Sequence, residues 1–153
     1  MIPWPLLALM LVTATPLSAL TLPQFEGRWR GEGAMVLGDE PEQRFRCQIR
    51  LNTTRPGESF FSGRCATAQA AQSFTYMLTE SETGALSAEN RAETPDALPA
   101  VMTGTAAPGL LDLHAESEAL FELRLDGDTL VFRIEGRGGQ GPARGQARLL
   151  RQN

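Results

Sequence analysis

The sequence Arg44-Phe45-Arg46-Cys47-Gln48-Ile49-Arg50-Leu51 alternates strictly between polar and apolar side chains. A period of two residues is that of a β-strand, in which successive side chains point to opposite faces of the sheet. The apolar side chains therefore share one face, and the arginines and the glutamine share the other. This pattern predicts a half-buried strand with a cationic outer surface.

A second apolar segment follows this strand and can pair with it across a short loop. If residues 54–58 form a hairpin loop, Leu51 lies opposite Phe61 and Cys47 lies opposite Cys65 on the same apolar face. Directly opposed residues in an antiparallel pair have Cα atoms about 4.5 Å apart, which is near the lower end of the range for disulfides. We therefore predict a Cys47–Cys65 disulfide. A redox-active pair is the less favoured alternative, because the Cys-x-x-Cys spacing is absent.

The same alternation recurs through most of the chain, interrupted by Gly, Pro, Asp and Asn. It predicts further strands at residues 27–37, 59–67, 73–80, 85–90, 101–105, 110–115, 120–125, 130–135 and 143–150. Residues 115–125 are rich in Ala, Glu and Leu and could instead hold a helical turn. Many short strands with frequent turns indicate a closed barrel or a sandwich. We expect an all-β fold, a single antiparallel up-and-down barrel of about 8–10 strands with one disulfide.

The first nineteen residues have the pattern of a secretory signal peptide. Residues 6–12 form an apolar core that is too short to span a bilayer, and a small-residue ending follows up to Ala19. A retained anchor and a buried strand are the alternatives. We predict cleavage after Ala19, with residues 20–153 forming one exported domain in the periplasm or the cell exterior. No later segment approaches transmembrane length, so we expect no transmembrane segment.

The residue types that are missing exclude several kinds of chemistry. The chain has a formal net charge of −4, its 14 cationic side chains are all Arg, and His114 is its one histidine. Schiff-base catalysis and a phosphate-loop lysine are excluded, and so is a zinc site built from several imidazoles. The acidic balance gives no general affinity for nucleic acid. We expect a non-enzymatic protein without cofactor or metal; an unrecognised hydrolase using paired carboxylates is a distant alternative.

The beginning of the predicted barrel resembles a known superfamily. Gly27-Arg28-Trp29 is similar to the Gly-x-Trp signature of lipocalins and other calycins. That resemblance implies that the Trp closes one end of the barrel and that an Arg from the last strand packs across it. Arg151 is in phase with Ala147 and Leu149 on the predicted inner face, so it is the expected partner of Trp29.

A narrower resemblance covers about residues 20–65. Gly27-Arg28-Trp29, residues 47–52 and Gly63-Arg64-Cys65 together resemble the periplasmic Inh inhibitors of secreted bacterial metalloproteases. The resemblance implies an exported barrel with one disulfide and an amino-terminal segment that enters the cleft of a secreted protease. The segment that corresponds to this inhibitory arm is Leu20-Thr21-Leu22-Pro23-Gln24.

The outer face of the first three strands is the strongest indication of binding. It carries Arg28, Arg30, Arg44, Arg46, Arg50 and Arg64. Such a surface could bind lipid phosphates, acidic glycans or the carboxylates of a partner. Alternatively, nearby glutamates neutralise it and make an ordinary surface; the candidates are Glu32, Glu40, Glu42 and Glu58. We expect a binding protein for an anionic envelope component on this face or for a small apolar ligand in the barrel, with protease inhibition as the alternative.

Overall fold

The computed structural model describes residues 20–94, 96–116, 119–138 and 141–153. The signal peptide predicted at residues 1–19 lies outside the described residues. A short 3-10 turn, Leu22–Phe25, precedes ten strands. The strands are β1 (Gly27–Leu37), β2 (Gln43–Arg55), β3 (Glu58–Ala66), β4 (Ala71–Glu80), β5 (Ala85–Asn90), β6 (Val101–Ala107), β7 (Leu110–Ala115), β8 (Ala119–Asp126), β9 (Thr129–Gly138) and β10 (Gly141–Gln152).

The strands form one closed antiparallel barrel. Each strand pairs with the next one in the chain, and β10 pairs with β1 to close the sheet. The predicted all-β, up-and-down barrel is confirmed, and the sandwich alternative is wrong because the sheet has no free edge. The helical turn considered at residues 115–125 is also wrong where the structure describes that segment, since β8 begins at Ala119 and pairs with both β7 and β9.

The hairpin of β2 and β3 has the predicted register. Leu51 lies opposite Phe61, Cys47 lies opposite Cys65, and the two cysteines form a disulfide. The strands extend further into the predicted loop than expected, with a register shift between Thr53 and Arg55. The alternation and the position of the hairpin loop therefore sufficed to place the disulfide.

Loss of this disulfide should destabilise the barrel. We expect Cys47→Ser to lower the free energy of unfolding by about 2 to 5 kcal/mol, because the unfolded chain loses a covalent constraint. Urea unfolding of the variant and of the wild type measures the change, and adding reductant to the wild type should produce a similar loss. An unchanged unfolding midpoint in both experiments would contradict a stabilising role.

Five aromatic side chains fill the centre of the barrel. The ring centroids of neighbouring pairs lie between 5.0 and 6.2 Å apart, and several pairs meet edge to face, the arrangement that aromatic rings favour. The rings belong to Phe61, Phe74, Tyr76, Phe121 and Phe132. At this level the interior is packed by the protein's own side chains.

The connection between β5 and β6 is tied to the barrel. The hydroxyl of Tyr76 donates a hydrogen bond to the carbonyl oxygen of Pro99 at 2.8 Å, and Leu98 packs against the core. Burial raises the pKa of the Tyr76 phenol well above its ordinary value, and the nearby carboxylate of Asp96 raises it further. The phenol therefore stays protonated and keeps this hydrogen bond.

The seam between β1 and β10 depends on two glycines that face inward. A Cβ atom on Gly33 would overlap the carbonyl oxygen of Gln146, and one on Gly31 would overlap that of Arg148. The two paired strands can approach this closely only because both positions lack a side chain.

Within the part of the chain that the structure describes, no helix has the length and apolar character needed to cross a membrane.

Candidate functional site

Trp29 lies at the end of the barrel where β1 begins. Its side chain is buried, and its indole Nε1 donates a hydrogen bond to the carbonyl oxygen of Phe25 at 2.9 Å. The guanidinium carbon of Arg151, on the last strand, lies 4.3 Å from the centroid of the Trp29 ring. The same guanidinium donates to the carbonyl oxygens of Glu26 and Gln24. Arg151 therefore joins the first turn, the first strand and the last strand.

Gly27 makes room for this arrangement. Its φ of +123° is unfavourable for residues with a side chain, and a Cβ there would lie 3.2 Å from Nη1 of Arg151. The structure thus brings Gly27, Trp29 and Arg151 together, which are the three residues that the calycin resemblance selects.

The segment Leu20 to Gln24 does not protrude as an arm. Thr21 and Leu22 are buried, and their backbone amides donate hydrogen bonds to the carboxylate of Glu80. The side-chain oxygen of Gln24 accepts a hydrogen bond from the amide of Gly109 at 2.7 Å. The segment packs onto the barrel end because the Leu22 side chain is apolar and the amides of Thr21 and Leu22 need acceptors. Pro23 and Gln24 remain exposed.

The outward arginines of β1, β2 and β3 surround one glutamine. Gln48 has Arg46 and Arg50 two residues before and after it on β2, and it lies opposite Arg30 on β1 and Arg64 on β3. Arg28, two residues before Arg30 on β1, lies opposite Arg50. All of these side chains are exposed. We refer to Arg28, Arg30, Arg46, Arg50 and Arg64 as the arginine cluster.

The sixth predicted arginine has a different environment. Arg44 forms an ion pair with Glu32, while Glu58 pairs with Arg55 and Glu40 bonds to Gln43. Among the residues that the structure describes, no carboxylate forms an ion pair with any member of the arginine cluster. Glu32 also lies opposite Arg46 across the pairing of β1 with β2. The neutralised surface considered from the sequence therefore applies to the edge of this face where Glu32 and Arg44 lie.

The arginine cluster has an unfavourable electrostatic arrangement in the absence of an anion. Arg28 and Arg50 are directly opposed, and the Cβ atoms of such pairs are about 4.5 to 5.5 Å apart, where like charges destabilise a sheet. A shallow surface depression lies between these side chains and includes the hydroxyl-bearing Ser62 and Thr75. An anionic group in this depression would meet several guanidinium donors and would relieve the repulsion.

The sequence analysis places Gln48 on the outer face, but it includes neither Gln48 nor Leu150 among the candidate binding residues. Gln48 shares the alternation of the arginines, so its central place could have been read from the same pattern. Leu150 lies opposite Arg30 on β10 and is 59% exposed, which is unusual for a leucine. Its outward position follows from the inward positions of Ala147 and Leu149. That it lies next to Arg30, however, depends on the pairing of β1 with β10 that closes the barrel.

The lone histidine lies elsewhere. His114 is exposed on β7, opposite Thr103 on β6 and Leu120 on β8. In the described ranges, the side chains of His, Cys, Asp and Glu form no group of three that could hold a metal ion.

The chain is similar in fold to solved structures. No protein-family model and no curated protein matches the chain. Among solved structures, Rv2717c from M. tuberculosis is similar, with a TM-score of 0.59 and 16% sequence identity over 89% of this chain and 100% of that chain. At this identity the likeness shows a common barrel fold alone.

Proposed function

We propose that this chain is an exported, non-enzymatic binding protein whose arginine cluster binds an anionic component of the cell envelope. The observation that carries the proposal is the set of five exposed arginines around Gln48, none of which is ion-paired within the described residues. Such a set of like charges is unfavourable by itself and becomes favourable when an anion neutralises it.

The spacing of the arginine cluster suits a ligand with several anionic groups. Neighbouring strands are about 4.8 Å apart and each residue rises about 3.3 Å, so the cluster covers roughly 10 by 13 Å. Guanidinium groups bind phosphate and carboxylate oxygens with two parallel hydrogen bonds, which a lysine cannot do. An array of phosphates or carboxylates would therefore contact several arginines at once.

The exposed Leu150 favours a lipid surface over a soluble anion. It lies opposite Arg30, so an apolar side chain sits next to the cationic patch. Arginine near an anionic membrane surface contributes about 1 kcal/mol of binding free energy, and a neighbouring leucine can contact the acyl boundary. We therefore take anionic lipid headgroups as the partner to test first.

Two other functions have less support from the packing. A small apolar ligand in the barrel would compete with the five aromatic rings at its centre. Protease inhibition and membership of the calycin or Inh families are supported by the resemblance at residues 20–65. Within the proposed inhibitory arm, however, Thr21 and Leu22 are buried against Glu80.

Removing part of the arginine cluster should weaken binding to lipid. We expect the triple variant Arg46→Gln, Arg50→Gln and Arg64→Gln to bind anionic phospholipid vesicles on the order of 100-fold more weakly, because about 1 kcal/mol is lost per arginine. Vesicle co-sedimentation measures the change, with zwitterionic vesicles as the reference. Higher salt should weaken wild-type binding in the same direction.

A matched control replaces three arginines outside the cluster by Gln: Arg55, Arg91 and Arg124. We expect this variant to bind the vesicles almost as well as the wild type. Equal weakening by both triple variants would show that net charge, and not the cluster, governs binding. If the wild type ignores the vesicles but inhibits a secreted metalloprotease, the inhibitor alternative becomes the better one.

A further inference from the structure

A buried carboxylate lies at the end of the barrel. Within the residues that the structure describes, it accepts hydrogen bonds only from backbone amides. Glu80, the last residue of β4, is 8% exposed. Its two oxygens accept hydrogen bonds from the amide of Thr21 at 2.8 and 2.9 Å, and one of them also accepts from the amide of Leu22 at 2.9 Å. No ion pair within the described residues includes this carboxylate.

A buried carboxylate with no cation nearby is unusual. Burial of a charge is costly unless the charge is both hydrogen-bonded and paired. The amides of Thr21 and Leu22 satisfy hydrogen bonding at Glu80 but supply no full positive charge. A cation next to Glu80 would therefore complete the pairing of this carboxylate.

Leu20 is in position to supply that cation. Its backbone nitrogen comes one residue before the Thr21 amide that bonds to Glu80, and consecutive Cα atoms are about 3.8 Å apart, so this nitrogen is within one residue's length of a bonded amide. In an uncleaved chain it is a neutral amide. At a chain that begins with Leu20 it is an ammonium group, since the α-amino pKa is ordinarily about 7.7 to 8.0.

We propose that Glu80 binds the α-ammonium group that removal of the signal peptide creates at Leu20. A signal peptidase adds water across the Ala19–Leu20 peptide bond, so that Ala19 leaves with the new carboxylate and Leu20 keeps the new amine, which takes up a proton. The resulting ion pair fastens Leu20 to Gln24 onto the barrel end. The proposal is independent of the arginine cluster and rests on the cleavage predicted from the sequence.

The first test compares two amino termini in two backgrounds. One protein begins at Leu20, and the other carries a short Gly-Ser extension before Ala19 and Leu20. In the wild-type background we expect the free Leu20 terminus to raise the thermal midpoint by about 2 to 4 °C, the shift that about 1 kcal/mol produces in a domain of roughly 150 residues. In Glu80→Gln this difference should disappear, because the amide carries no charge. An equal difference in both backgrounds, or none in the wild type, would overturn the proposal.

A second test avoids the substitution, in case Glu80→Gln does not fold. The chain has no Lys, so Leu20 provides the only primary amine of the mature protein. Reductive methylation with 13C-formaldehyde therefore labels this site alone, and its NMR signal can be followed with pH. We expect it to titrate at least one pH unit above the same signal in the unfolded protein, because the carboxylate favours the charged form. Identical titration in both states would overturn the proposal, as would exported protein that begins at Met1.

Discussion

Gly33→Ala is expected to prevent the barrel from closing. The new methyl group would overlap the carbonyl oxygen of Gln146, which belongs to the backbone of β10 and cannot rotate away as a side chain could. Overpacking normally costs about 1 to 3 kcal/mol when side chains can adjust, so a backbone obstruction should cost more than that. Soluble yield and the cooperativity of thermal unfolding measure the result.

Gly127→Ala provides the matched control for this substitution. Gly127 has a φ of +61°, yet no atom lies within 4 Å of the position that its Cβ would take. The change therefore costs only the conformational penalty, about 1 to 2 kcal/mol, and the variant should fold. A cooperative transition of Gly33→Ala at the wild-type midpoint would contradict the close approach of β1 and β10 at this position.

Trp29→Ala should have the next largest effect on stability. The indole is 2% exposed, bonds to the Phe25 carbonyl and lies under the Arg151 guanidinium, so its loss leaves a cavity and separates three elements. We expect the free energy of unfolding to fall by about 3 to 5 kcal/mol. Urea unfolding followed by circular dichroism measures this without depending on Trp fluorescence.

The contribution of the stacked arginine can be separated from that of burial. Arg151→Gln, Trp29→Phe and the double variant form a thermodynamic cycle, whose coupling energy should be about 0.5 to 1 kcal/mol for an exposed cation over a buried ring. A Trp29→Ala protein with an unchanged midpoint would mean that this indole does not hold the barrel end together.

The sequence was sufficient for local features of the fold. The alternation at residues 44–51 predicts which side chains of β2 point inward, and the short loop after it determines the pairing with β3. Together they place Cys47 opposite Cys65. This works because a strand repeats every two residues and a hairpin offers few registers.

The arrangement of the candidate site was less accessible from the sequence. The opposition of Arg28 and Arg50 depends on the register between β1 and β2, which neither the alternation nor the loop between them determines. Likewise, Leu20 to Gln24 resembled a free arm because its partner, Glu80, is 59 residues away in the chain. No local pattern of charge or hydropathy indicates such a contact.

The pairing of the first strand with the last has a consequence for the order of folding. Arg151 contacts the carbonyl of Glu26 across a sequence separation of 125 residues, so the sheet cannot close until the final strand has emerged. A pairing between such distant segments forms slowly, because the chain must lose the entropy of closing a long loop before the contacts are made. Meanwhile one edge of β1 is open to pairing with other chains. Charged side chains on an edge discourage such pairing, so Arg28 and Arg30 are expected to protect the nascent protein from aggregation before closure.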